Sequence, residues 1–178
     1  MMTLLPDPLM RGLRALLCAA FVGLLAACGP GTGGTGTGPV GGVLGFSGMV
    51  SPGFGVGVSV LPPCAADCAT VALQLEDEQL EFRALCYRFV HQGPWDIDAK
   101  GVAEVAGTPE TRVQAEGGAR TETQPARMRL RFSEPRADSP QVELTVLDPT
   151  GQAALLAPVT LHRNAGGPSA APYACGHP

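Results

Sequence analysis

A strict alternation of apolar and polar residues recurs along the C-terminal two thirds of the chain, and it restricts the fold more than any other feature. Val71, Leu73 and Leu75 alternate with Ala72 and Gln74, and Leu80, Phe82 and Ala84 alternate with Glu81 and Arg83. A period of two marks a strand with one buried face. If residues 76–79 form a four-residue loop, Leu75 faces Leu80, Leu73 faces Phe82 and Val71 faces Ala84. Directly opposed residues share a face of a sheet, so every apolar side chain then lies on one side. This agreement predicts a hairpin. The competing reading is a helix over residues 76–90, because Glu, Leu, Gln, Arg and Ala all favour helices.

The same period continues downstream. Residues 97–105 read as a strand, a tight turn at Gly101 and a second strand, since glycine admits the positive φ such a turn requires. Met128, Leu130 and Phe132 alternate with Arg127, Arg129 and Arg131, and Val142, Leu144 and Val146 alternate with Glu143 and Thr145. Asp148-Pro149-Thr150-Gly151 is a turn signal. Residues 153–162 read as a strand interrupted by Pro158, which predicts an edge or a bulge. Seven or eight strands joined by Gly/Pro turns predict an all-β fold, a small antiparallel β-sandwich or a partly open barrel. The segment Asp98-Ala99-Lys100-Gly101-Val102-Ala103-Glu104-Val105 resembles a hairpin of bacterial immunoglobulin-like and carboxypeptidase-regulatory-like sandwiches. That resemblance implies architecture only.

The N-terminal region follows different rules. Arg11 and Arg14 precede an apolar run over residues 15–27. A basic stretch followed by a short apolar one is a secretion signal, and the run is shorter than the ~20 residues a spanning helix needs. It ends Leu25-Ala26-Ala27-Cys28, which resembles the lipobox of bacterial lipoproteins. Small residues beside the scissile bond suit the peptidase, and the thiol offers a point of lipid attachment. The resemblance implies cleavage before Cys28, a diacylglycerol thioether on that residue and anchoring in membrane lipid. Met10 opens a more typical signal than Met1, because residues 1–8 carry Asp7 and two prolines; translation is therefore expected to start at Met10. Gly29, rather than aspartate, follows the cysteine, which favours the outer membrane if the organism has two. One acyl chain binds only marginally, whereas two or three hold firmly.

Residues 29–57 contain 13 of the 24 glycines, and no charged side chain occurs between Cys28 and Ala66. Ordering such a stretch costs much backbone entropy, so residues 28–57 are expected to form a disordered glycine-rich tether carrying a domain over residues 58–178. Part of 40–60 is more apolar and could dock on the domain, or residues 56–61 could supply a first strand. The chain carries 12 basic and 16 acidic residues, a formal charge of −4. This balance argues against a general nucleic-acid partner, which needs basic groups to neutralise phosphates.

With Cys18 in the signal and Cys28 lipidated, Cys64, Cys68, Cys86 and Cys175 remain. An even number in an exported domain predicts two disulfides. Three pairings exist, and the hairpin geometry favours Cys68–Cys86 with Cys64–Cys175. A zinc site using Cys64, Cys68, Cys175 and His177 is the rival.

Other constellations say less about chemistry. Asp96, Asp98, Lys100 and Gly101 begin like a calcium loop, but Gly107 stands where a bidentate glutamate is required. His91, His162 and His177 are scattered, and Ser47 lacks nucleophile-elbow spacing. Trp95 and Tyr87 read as core or rim anchors. Arg127, Arg129 and Arg131 share one outward face that could grip an anionic glycan or phosphate, or form a solvated face paired with Glu143. Nothing points to a catalytic residue, a metal or a cofactor. The expected function is a noncatalytic envelope module that binds a protein or glycan or serves structurally. The alternatives are a cell-wall hydrolase with an unrecognised site, and an inhibitor of an exported enzyme acting through the loop at 134–140.

Overall fold

The computed structural model describes residues 40, 42–57, 64–116 and 118–166. These residues form ten strands and no helix: β1 (Leu44–Val50), β2 (Ala69–Glu76), β3 (Gln79–Ala84), β4 (Tyr87–Gln92), β5 (Val102–Gly107), β6 (Glu110–Ala115), β7 (Gly118–Thr123), β8 (Ala126–Phe132), β9 (Gln141–Leu147) and β10 (Ala154–Arg163). All pair antiparallel in one curled sheet of order β5-β8-β9-β10-β1-β2-β3-β4-β6-β7. The fold is thus all-β, as the alternation predicts, and its curled half-barrel form is consistent with an open barrel or a sandwich.

The predicted hairpin is present in the expected register. Leu75 stands opposite Leu80, Leu73 opposite Phe82 and Val71 opposite Ala84. The helix reading of 76–90 is incorrect, because that segment holds β3 and β4. Register links Phe46 to Leu73, Leu73 to Phe82 and Phe82 to Phe89, so one apolar row crosses four strands. A second row runs Ala103, Leu130, Leu144, Val159. Curling brings the two halves face to face, and Phe46 meets Phe132 edge-on with ring centroids 6.4 Å apart. Each such fully buried side chain stabilises the fold by roughly 1.5–3 kcal/mol relative to exposure.

The curl carries β5, one end of the sheet, against β4. His91 Nδ1 lies 3.0 Å from the carbonyl oxygen of Ala106. Gly107 lies so close to β4 that an added Cβ would fall 2.8 Å from the Phe89 ring and 3.0 Å from the Val90 carbonyl. β6 and β7 diverge from this seam as a hairpin joined to β4 by two register pairs.

Several sequence expectations need correction. β1 lies within the segment read as tether and sits between β10 and β2, so the folded unit begins before residue 58. Gly48 serves packing: a Cβ there would meet the Thr160 carbonyl at 2.7 Å and Leu161 Cδ2 at 2.8 Å. Residues 29–39 and 58–63 lie outside the described residues, and with them most of the proposed tether and of the 56–61 strand. Around Gly101 the turn is as expected, with φ +77°, but no strand precedes it. Instead, residues 94–98 have no regular secondary structure. There Ile97 is buried, and Trp95, also buried, donates from Nε1 to the Glu76 carbonyl at 2.7 Å. Pro158 falls where β10 shifts register against β9, so it marks a bulge in an interior strand and not an edge.

Candidate functional site

The three arginines of β8 project from the outer surface, as their alternation with buried Met128, Leu130 and Phe132 requires. They are not equivalent. Glu104, on neighbouring β5, accepts from Arg127 Nη1 on Oε1 and from Arg129 Nε on Oε2, both at 3.0 Å. Arg127 Nε also donates to the Pro149 carbonyl at 3.0 Å. Partial burial raises the Glu104 pKa, but hydrogen bonds and charge from the two arginines outweigh this and hold the carboxyl below the ordinary glutamate range. Arg131 stands opposite Glu143 in register, yet among the described residues it forms no ion pair. The pairing with Glu143 that the sequence suggested is therefore replaced by a clamp on Glu104. That clamp neutralises half of the charge at Arg127 and Arg129 and fixes both guanidinium groups.

A second ionic cluster occupies the outer face of β3 and β4. Glu81 is buried, and its Oε1 accepts from Arg83 Nε at 2.8 Å and from Arg88 Nε at 2.6 Å. Burial raises the Glu81 pKa, while the hydrogen bonds and charges of Arg83 and Arg88 lower it by more. Arg88 also reaches Glu110 of β6 at 3.9 Å. Beside it, Arg88, Val90, Gln92, Thr108 and Glu110 line a shallow groove of about 370 Å³. A wider depression of about 740 Å³ lies at the β2–β3 turn, flanked by Glu76, Asp77 and Glu78. Sequence reading did not single out Glu81, Arg88 or Glu104. Glu81 and Glu104 alternate with apolar neighbours and so face outward, but Arg88, Arg127 and Arg129 reach them from adjacent strands.

The remaining sequence candidates are dispersed. Cys64 and Cys68 are joined to each other, with Cα atoms 5.7 Å apart, so the expected pairs Cys68–Cys86 and Cys64–Cys175 are both incorrect. Residues 64–68 bend back on themselves, with Asp67 at φ +53°, and bring the two thiols together locally. The same bridge removes both cysteines from the zinc reading. Cys86, in the β3–β4 turn, is also disulfide-bonded. Cys28, Cys175 and His177 lie outside the described residues. Asp98 organises the Gly101 turn, its Oδ1 accepting the backbone N–H of Lys100 and of Val102. Among the described residues, no group of His, Cys, Asp and Glu side chains is arranged to hold a metal ion. Ser47 donates to Asn164 Oδ1 at 2.6 Å. The loop between β8 and β9 is knit by Ser139, whose buried Oγ lies 2.7 Å from Ser133 Oγ and accepts from the Glu134 N–H. Tyr87 is buried, and its hydroxyl finds no partner among the described residues.

No protein-family model, curated protein or solved structure matches the chain.

Proposed function

We propose that the chain is a membrane-anchored lipoprotein of the bacterial cell envelope, whose β module is noncatalytic and acts by protein or glycan interaction or structurally. The observation that carries this reading is the sequence Leu25-Ala26-Ala27-Cys28 at the end of a short apolar run preceded by Arg11 and Arg14. Two features of the folded part agree with a module that works through its surface. Its interior is filled by large apolar side chains, among them Phe46, Phe82, Phe89 and Met128. Two of its carboxylates, buried Glu81 and surface Glu104, are each held ionised by two arginines. A carboxylate held in this way is a poor general acid, which needs a raised pKa.

The anchor is tested by growing cells on labelled palmitate and fractionating membranes. The wild-type chain incorporates label and sediments with membranes, and Cys28→Ser does neither. Label retained by Cys28→Ser overturns the anchor. For the module, the full chain is used to capture partners from envelope extract, since a piece starting at residue 58 lacks β1. Robust turnover in a screen of cell-wall substrates overturns the noncatalytic reading.

A further inference from the structure

The curled sheet has two ends, and they differ. β5 is covered, because Ala106 and Gly107 lie against His91 and Phe89 of β4. β7 is open among the described residues: it ends the strand order, and all six of its residues, Gly118–Thr123, are exposed. A two-stranded ribbon is marginal in water, and an uncovered edge strand is a template for pairing. Natural edges are commonly guarded by proline, a bulge or charged side chains, lysine above all. β7 contains no proline or lysine and pairs without a bulge from Gly118 to Thr123.

The direction of its backbone groups follows from β6. The N–H of Arg112 donates to the Cys86 carbonyl, towards β4 and away from β7. Arg112 and Thr121, which face each other, are therefore a non-hydrogen-bonded pair. By alternation, Ala119, Thr121 and Thr123 turn their N–H and C=O groups outward. Arg120 and Glu122 share one face and form an ion pair within the strand.

We propose that β7 pairs antiparallel with β7 of a second copy of this chain, about a two-fold axis through Thr121. In that register Thr121 meets the partner copy's Thr121 in a hydrogen-bonded pair, and Ala119 meets Thr123 on each side. Arg120 then lies opposite Glu122 in both directions, in the non-hydrogen-bonded positions where side chains approach most closely. The alternative centres fail. An axis through Arg120 or Glu122 sets like charges directly opposite, and one through Ala119 sets Arg120 opposite Gly118. A self-complementary patch is what an isologous two-fold interface requires. The two ribbons become one four-stranded sheet. Its small area places it among transient interfaces rather than permanent ones.

The test uses the full chain in nonionic detergent under mild oxidation. Thr121→Cys is expected to form a covalent dimer. Ala119→Cys alone is not, because the two substituted positions lie about 13 Å apart along the strand. Equal mixing of Ala119→Cys with Thr123→Cys restores the cross-link. In the Thr121→Cys background, Arg120→Glu and Glu122→Arg should each lower the cross-linking rate at least tenfold, and the double exchange should return it to within about threefold, as expected for facing charges. Failure of Thr121→Cys to dimerise, equal cross-linking of Ala119→Cys, or no rescue by the double exchange overturns the proposal. So does cross-linking to a different protein alone.

Discussion

Gly107 of β5 lies flat against the ring of Phe89 in β4, leaving no room for a side chain: a Cβ there would stand 2.8 Å from two ring atoms. Phe89 is fully buried, so the ring cannot swing aside. Gly107→Ala is therefore expected to destabilise the protein by about 1–3 kcal/mol, the usual cost of overpacking. Gly55→Ala, which has no atom within 4 Å of the added carbon, should stay within about 0.5 kcal/mol. Urea unfolding of both variants measures the difference.

Glu81→Gln keeps the shape of the side chain and removes the charge that Arg83 and Arg88 hold. The expected loss is about 1–2 kcal/mol at neutral pH, since hydrogen bonds to charged groups are among the stronger ones. Folding lowers the Glu81 pKa, so its contribution is complete above the ordinary glutamate range. It disappears as the pH falls through the lowered folded value. Wild type and variant should therefore converge in stability in acid, which unfolding at a series of pH values will show. A constant gap down to the lowest pH would contradict the assignment.

Tyr87 offers the opposite case, a buried hydroxyl without a partner among the described residues. Burial also raises its pKa well above that of a free phenol. Tyr87→Phe should be neutral or stabilising by about 1 kcal/mol, because it removes an unsatisfied polar atom. The raised folded pKa means that the tyrosine favours the fold fully below the normal phenol range and loses that contribution as the pH rises towards the folded value. The alkaline unfolding transition should therefore move to higher pH in Tyr87→Phe.

Peptide mapping of the unreduced chain should recover residues 64 and 68 on one bridged fragment. Replacing both Cys64 and Cys68 by serine should cost about 2 kcal/mol, because the loop they close is short. With those two joined, and if Cys28 carries lipid as proposed, Cys175 is the cysteine left for Cys86, and mapping should find that pair.

A chain beginning at residue 58 lacks β1, which supplies Phe46 to the core and bridges β10 to β2. That piece should show no cooperative unfolding by circular dichroism, whereas a chain beginning at residue 40 should.

Legibility followed locality and apolar content. The β2–β3 hairpin could be read to the residue because its alternation permits one register that buries every apolar side chain. β1 was hidden by its composition. Gly45 and Gly48 look like the expense of ordering a tether, but the close approach of β10 at Thr160 and Leu161 requires a glycine at position 48. β6 and β7 were missed for another reason: every residue of β7 is exposed, so no apolar period marks it. The arginine row of β8 was legible, and the clamp on it was not. Glu104 reaches Arg127 and Arg129 because β5 pairs with β8, with β6 and β7 set aside. The cysteine pairing failed because a bend at Asp67 answers to local backbone geometry that the alternation does not encode.

β1 is the first described strand and its neighbour β10 is the last, joined where Phe46 meets Arg163 and Ser47 meets His162. However the chain is delivered, N-terminal end first, one edge of β1 has no native neighbour until the final strand arrives. Pairing of β10 with β1, which joins the two halves of the sheet, is thus the latest event open to it, and it spans almost the whole described sequence. Contacts of such range slow folding and leave strand edges bare in the interval. The schedule of synthesis itself determines how long this domain is exposed to capture by a chaperone or by a neighbouring nascent copy.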